Sequence, residues 1–179
     1  RSDLQVALRK LVADRERGRI PHFDRVLIET SGLADISPIL QTFSTDKALG
    51  GEFAIEVVLT LVDAVNGVRN LAKAPEARKQ AILADRLVIT KIDLADSRTK
   101  KTLAAKLKDL NPRADIDMIS DGQIDPKSVA ELYSRRDEAP MLTTIYQARE
   151  DAWYRHAISA SLNTIIRLRT GQPAKSGGN

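Results

Sequence analysis

Arg86-Leu87-Val88-Ile89-Thr90-Lys91-Ile92-Asp93-Leu94 is a short apolar, β-branched run that stops abruptly at polar residues. Its length and composition read as a buried strand followed by a turn. On its C-terminal side, Ser97 to Leu110 predicts a helix, because Leu103, Leu107 and Leu110 fall at i, i+4 and i+7. Asn111-Pro112 stops that helix, and Ala114 to Ile119 reads as another strand. On its N-terminal side, Asn66 to Ala84 reads as helical with an interruption near Pro75, and Phe53 to Val62 as an apolar strand ending at Asp63. Further back, Pro38 to Phe43 opens a helix, Gly50-Gly51 is expected to break the chain, and Phe23 to Glu29 is a strand. Ser2 to Arg17 is a helix with Gly18 just past its end, and Asp125 to Arg135 a further helix. Strands alternating with helices predict an α/β fold with a three-layer, mostly parallel sheet, since parallel neighbours need long crossovers.

The bulk numbers set broad limits. The 179 residues are 42% hydrophobic, 29% charged and only 4% aromatic, which excludes a wholly disordered chain. There is no cysteine, which excludes a disulfide framework and thiolate metal ligation by this segment. No run of 18 apolar residues and no signal-peptide core is found, so no membrane partner and a cytoplasmic location are expected. The net charge of +4 is spread along the chain and mixed with acids. The densest basic stretch, Arg98 to Lys108, lies on the helical pattern beside Asp96 and Asp109 and reads as a solvated face, so no nucleic-acid partner is expected. The scarcity of aromatics also speaks against base-stacking platforms.

In a sheet of this kind, ligands bind beyond the carboxyl ends of the strands. The polar groups there are Glu29-Thr30-Ser31-Gly32, Asp63, Thr90-Lys91-Ile92-Asp93 and Ser120-Asp121, all expected along one edge. Thr90, Lys91 and Asp93 form the T-K-x-D pattern of a guanine-recognition element. The spacing suits that chemistry. A carboxylate accepts from both the guanine N1–H and the 2-amino group, whereas adenine offers no such donor pair. The Lys stem lies along the base. The competing reading is an ordinary strand-to-helix turn in which Asp93 or Asp96 caps the following helix. At the end of the first strand, Glu29 has the position of an acid that holds Mg²⁺ through water. Gly32, three residues on, lets a backbone N–H approach a γ-phosphate and frees the loop to switch. A Ser-Gly turn with a solvated Glu accounts for the same residues.

FDRVLIETSGLADISPIL, VVLTLVDAVNG, ADRLVITKIDL and LNPRADI, in that order across Arg1 to Ile119, resemble consecutive motifs of the CobW/HypB/UreG family of P-loop GTPases. The likeness is closest to the CobW-like branch of metallochaperones and cobalamin-biosynthesis proteins. The resemblance implies GTP and Mg²⁺ as cofactors, Glu29 on the magnesium shell, and Gly32 as the γ-phosphate sensor of switch II. It also implies Thr90, Lys91 and Asp93 on guanine, with Ser120 in a following loop that touches the base. Asp63 would be structural or a switch partner. Zinc or cobalt would be cargo for a metalloprotein client, and the protein would act as a homodimer.

The sequence also departs from the family pattern. The phosphate-cradling G-x-x-x-x-G-K-S/T and the C-x-C-C metal motif are both absent. The chain begins at Arg1, so residues 1–138 are expected to be a GTPase domain incomplete at its start. Residues 139–170 would be a linker with a possible opening of a C-terminal domain, and 171–179 a disordered tail. The parent protein is expected to hydrolyse GTP and this chain alone to be inactive. The alternative is a truncated, non-catalytic α/β binding module without nucleotide activity. His22 reads as a turn residue and His156 as a helix-surface residue.

Overall fold

A computed structural model describes residues 2–32, 34–120 and 162–170. The elements run α1 (Ser2–Glu16), β1 (Arg25–Thr30), α2 (Ser37–Thr45), α3 (Lys47–Glu52), β2 (Phe53–Asp63), α4 (Gly67–Lys73) and α5 (Pro75–Leu83). They continue with β3 (Arg86–Thr90), a 3₁₀ turn (Ile92–Leu94), α6 (Ser97–Leu110), β4 (Asp115–Met118) and β5 (Leu162–Thr170). The predicted Asp125–Arg135 helix, the 171–179 tail and His156 lie outside the described residues.

The strands form one sheet in the order β1-β5-β2-β3-β4. β2, β3 and β4 pair in parallel, while β5 is antiparallel to both β1 and β2. Four of the five strands therefore run the same way, and the α/β class follows. β3 is buried at every position and β2 over its last eight residues, as continuous apolar runs require in a covered sheet.

The described helices pack on one face. Leu8 of α1, Leu40 and Phe43 of α2 and Leu49 of α3 close over Val58, Ile166 and Leu168. Leu71, Ala77, Ala81, Leu103 and Leu107 of α4, α5 and α6 close over Val62, Leu87 and Ile89. The opposite face carries Val57, Leu59, Leu61, Val88 and Ile165, also buried. The basic residues of α6 lie away from its buried Leu103 and Leu107.

Local chemistry sets the boundaries. Gly18 closes α1 with a left-handed φ of 65°, donating its N–H to the Arg15 carbonyl. Ala74, forced extended before Pro75, divides α4 from α5 where the sequence placed an interruption. Asn111 fixes the turn into β4. Its Nδ2 donates to the Ala81 and Ala84 carbonyls at 2.9 and 2.8 Å, and its Oδ1 accepts from Ala114 N at 3.1 Å.

Two expectations are corrected. Gly50-Gly51 does not break the chain but lies inside α3, which Asp46 caps by accepting from Ala48 N and Leu49 N. Gly50 is required there by close approach: a Cβ would stand 2.4 Å from the Phe43 carbonyl oxygen. Leu162–Thr170, within the 139–170 stretch expected to be a linker and possible opening of a C-terminal domain, is a strand in the interior of the sheet. A bulge between Ile55 and Val57 accommodates it, and the Arg167 guanidinium lies 2.5 Å from the buried carboxylate of Glu56.

Candidate functional site

The register places the carboxyl ends of β1, β2, β3 and β4 on one edge, with Asp63 opposite Thr90 and Thr30 opposite Thr164. The described polar groups, Glu29 to Gly32, Asp63, Thr90 to Asp93 and Ser120, share that edge, while Asp121 lies outside the described residues. Two of them are built by different means.

At the first, β3 ends in the buried Thr90, and Lys91 takes a left-handed conformation at φ 55° and ψ 37°. It is the only non-glycine residue with positive φ among the described residues. For an L-residue that conformation costs roughly 1 kcal/mol and persists only where surrounding contacts impose it. Those contacts are present. Lys91 Nζ lies 2.9 Å from Asp63 Oδ2, and Leu94 N donates to the Lys91 carbonyl at 3.1 Å. Lys100 Nζ donates to the Ile92 carbonyl at 3.2 Å.

Asp63 is 2% exposed, and its other oxygen accepts from Val65 N at 2.7 Å and Asn66 N at 3.0 Å. Burial pushes its carboxyl up; the Lys91 hydrogen bond and the two backbone amides outweigh that and hold it below the usual carboxylate range. Asp93 follows on the 3₁₀ turn with its side chain exposed. The cap of α6 is Asp96, which accepts from Thr99 N at 2.7 Å. Of the two residues offered as a cap by the strand-to-helix-turn reading, Asp96 takes that role, and Asp93 stands outside it. Thr90 Oγ1 is buried with no hydrogen-bond partner, an orphaned polar atom at the base of the turn. Ser120 is exposed just beyond β4, next to Ile119, whose carbonyl faces Ile92 N at 3.5 Å.

At the second, β1 ends in an exposed Glu29 and a buried Thr30. Glu29 lies in register with Ile165, on the sheet face away from the described helices. The loop that follows, including Gly32, is held from behind by α5. The fully buried Gln80 amide nitrogen lies 3.5, 3.3 and 2.8 Å from the carbonyls of Ser31, Gly32 and Ala34. Gln80 Oε1 accepts from Thr164 Oγ1 at 2.9 Å, and Thr164 meets Thr60 Oγ1 at 2.9 Å. Beside it, Lys79 Nζ reaches Asp35 Oδ2 at 2.7 Å. The Lys79 ammonium and the Ser37 amide hold the Asp35 carboxyl down at about 2.

Gln80, Lys79 and Thr164 were not singled out from the sequence. A Gln on a helix carries no motif, and its partner Thr164 is 84 residues away. With five strands about 4.8 Å apart, the ends of β1 and β3 stand roughly 14 Å from one another.

Among the described residues, no group of three or more His, Cys, Asp or Glu is placed to hold a metal ion. His22 is exposed in the turn before β1. No helix of the described residues is long and apolar enough to cross a membrane.

An α/β sheet with its polar groups gathered at one carboxyl edge is the class of domain that binds a ligand there. The family described as CobW/HypB/UreG, nucleotide-binding domain, matches residues 1–117, and the chain belongs to it. The chain is 36% identical over 124 residues to the zinc chaperone YjiA of Escherichia coli, covering 69% of this chain and 38% of that protein. It is 31% identical over 121 residues to zinc-regulated GTPase metalloprotein activator 1 of Schizosaccharomyces pombe, covering 66% of this chain and 28% of that one. The crystal structure of zinc-bound YjiA GTPase superposes with a TM-score of 0.67 at 29% identity, over 86% of this chain and 47% of the other. The chain thus spans well under half the length of the curated relatives it matches. The fold is accordingly that of the P-loop GTPases. β1 to β3 and nearly all of β4 lie within the matched residues, whereas β5 lies beyond them.

Proposed function

We propose that this chain is the base-recognition and switch portion of a GTP-dependent metallochaperone. The observation that carries the reading is the turn after β3. Lys91 is fixed in a left-handed conformation, and Asp93 is exposed and released from helix capping by Asp96. In this reading Asp93 accepts from the guanine N1–H and 2-amino groups, the Lys91 stem covers the base, and Thr90 and Ser120 flank it. The orphaned Thr90 hydroxyl supports a polar ligand at the turn.

Glu29 would hold Mg²⁺ through water at the far end of the same edge, where bound Mg²⁺ would neutralise phosphate charge. Gly32 would report the γ-phosphate to the Ser31–Asp35 loop. The roughly 14 Å between the two strand ends suits a nucleoside triphosphate laid across them. The residues present fit the base and the metal-holding acid, but no glycine-rich cradle with its Lys is among them. In this reading the chain takes GTP weakly and does not hydrolyse it by itself. Zinc is the favoured cargo, because the names of both curated relatives carry it, with cobalt and a role in cobalamin synthesis as narrower versions. A metalloprotein client, a homodimer and a cytoplasmic site of action complete the proposal.

The test is nucleotide selection by titration calorimetry with Mg²⁺ present. Asp93→Asn is expected to reduce preference for GTP and favour xanthosine triphosphate. An unchanged GTP preference overturns the base assignment, and tight GTP binding by this chain overturns the expected need for a phosphate cradle.

A further inference from the structure

The contact between Lys91 and Asp63 carries more than a structural tie. We infer that Asp63 is the positioning residue for guanine recognition, acting only through Lys91; this rests on the base-binding reading above. Three observations support it. Asp63 ends the strand next to β3 and stands opposite Thr90 in register, so its carboxylate is held at the foot of the turn. It is nearly fully buried, with one oxygen committed to the Val65 and Asn66 backbone amides and the other accepting from Lys91 Nζ at 2.9 Å, with Asn66 Nδ2 at 3.4 Å. Lys91 has the only left-handed non-glycine backbone among the described residues, a conformation that needs an external hold.

The geometry divides the lysine into two parts. Its ammonium is directed to Asp63, where the charge is neutralised, while the side chain as a whole stays partly exposed and its four-carbon stem is available to serve as an apolar surface. A stem so pinned presents a fixed apolar surface to a flat base and keeps the backbone of Ile92-Asp93 in one orientation. Lys91 is thereby withdrawn from direct phosphate binding, and the selectivity of Asp93 depends on a residue 30 positions away that touches no ligand.

Asp63→Asn separates this role from a structural one, because the side-chain oxygen that accepts from the Val65 and Asn66 backbone amides is retained, while the acceptor facing Lys91 and Asn66 Nδ2 becomes an uncharged amide NH2. Two readouts on the whole chain decide the matter. The first is the rate of Lys91 acetylation by acetic anhydride, followed by mass spectrometry against Lys101 as internal reference. It should rise about tenfold in Asp63→Asn, the ratio set by loss of one charge-assisted hydrogen bond. The second is competition of GTP, ITP and ATP against a fluorescent guanosine nucleotide. Asp63→Asn and Lys91→Gln should both narrow the GTP-to-ATP preference, while thermal unfolding of Asp63→Asn stays close to that of the parent chain. Unchanged Lys91 acetylation overturns the inference. So does narrowed selectivity in Asp93→Asn with none in Asp63→Asn, which would leave the base-binding reading standing. Unchanged selectivity in all three variants overturns that reading itself.

Discussion

The turn after β3 and the loop after β1 lie on the same sheet edge, yet they are held in opposite ways. The turn is braced by its own neighbourhood: Asp63 from the adjacent parallel strand, Lys100 from the helix that follows, and a hydrogen bond internal to the turn. All of these contacts lie within residues 63–100. The loop is braced at a distance. Its carbonyls converge on Gln80 of α5, and Gln80 is in turn satisfied by Thr164 of β5. A locally braced turn holds its side chains in one arrangement, as the proposed base recognition requires. The loop's carbonyls share one buried amide, with an Ala34 N to Ser31 carbonyl bond and the Lys79–Asp35 pair beside it, so Gln80 is its main interior hold, a latch. Under the proposed function, the contrast places recognition at one end of the edge and conformational response at the other.

The largest test of this contrast removes the support of β5. Glu56 is buried among the guanidiniums of Arg25, Arg167 and Arg169, and takes Arg167 at 2.5 Å. Glu56→Gln should lower stability by about 3 kcal/mol in urea denaturation. Hydrogen exchange should then loosen the loop at 31–35 and leave the turn at 90–94 protected. Equal loosening of both would erase the distinction between them.

Next in size is the latch. Gln80→Leu keeps the volume but strips the loop carbonyls of their donor and Thr164 of its acceptor. A loss of about 2 kcal/mol is expected, with faster exchange of the loop amides and no change in Lys91 acetylation. Protection of the loop at parent levels would show that the latch lies elsewhere.

A smaller effect is expected at the turn. Asp63→Ala removes the acceptor for two backbone amides together with the Lys91 partner, and should cost about 1 kcal/mol of stability by thermal denaturation. Its exchange signature should be confined to residues 64–66 and 90–94. A signature spreading to 31–35 would mean that the two ends communicate through β2.

The smallest is a pH effect on the loop. Asp35 has its folded carboxyl lowered from 3.8 to about 2, so its contribution is present above pH 3.8 and lost as the pH falls through about 2. Loop amides should loosen over that acid window. Lys79→Ala should weaken that pH dependence, leaving the part due to the Ser37 amide, and leave global unfolding close to the parent chain. A loop that titrates identically in Lys79→Ala would remove the ion pair from the account.

Much of this edge was readable in the primary structure because it depends on short-range chemistry. A β-branched run followed by Thr90-Lys91-Ile92-Asp93 gives a buried strand and then a polar turn whatever surrounds it. Asp63 was likewise visible as a strand end. Its partner was not, because the Lys91 ammonium meets it only once β2 and β3 are in register. Gly50-Gly51 misled for a related reason. A glycine pair reads as a break by local propensity, whereas here Asp46 caps a short helix and close approach to the Phe43 carbonyl demands the missing side chain.

The sequence by itself determined the alternation of strands and helices, the polar residues at the strand ends, and the family they resemble. Each of these follows from periodicity or from contiguous motifs. Only the tertiary structure decided that residues 162–170 enter the middle of the sheet, that Gln80 latches the loop after β1, and that Asp63 sets the direction of Lys91. Those features rest on contacts between segments from 28 to more than 100 positions apart, and their strength comes from burial that exists only after the sheet has closed.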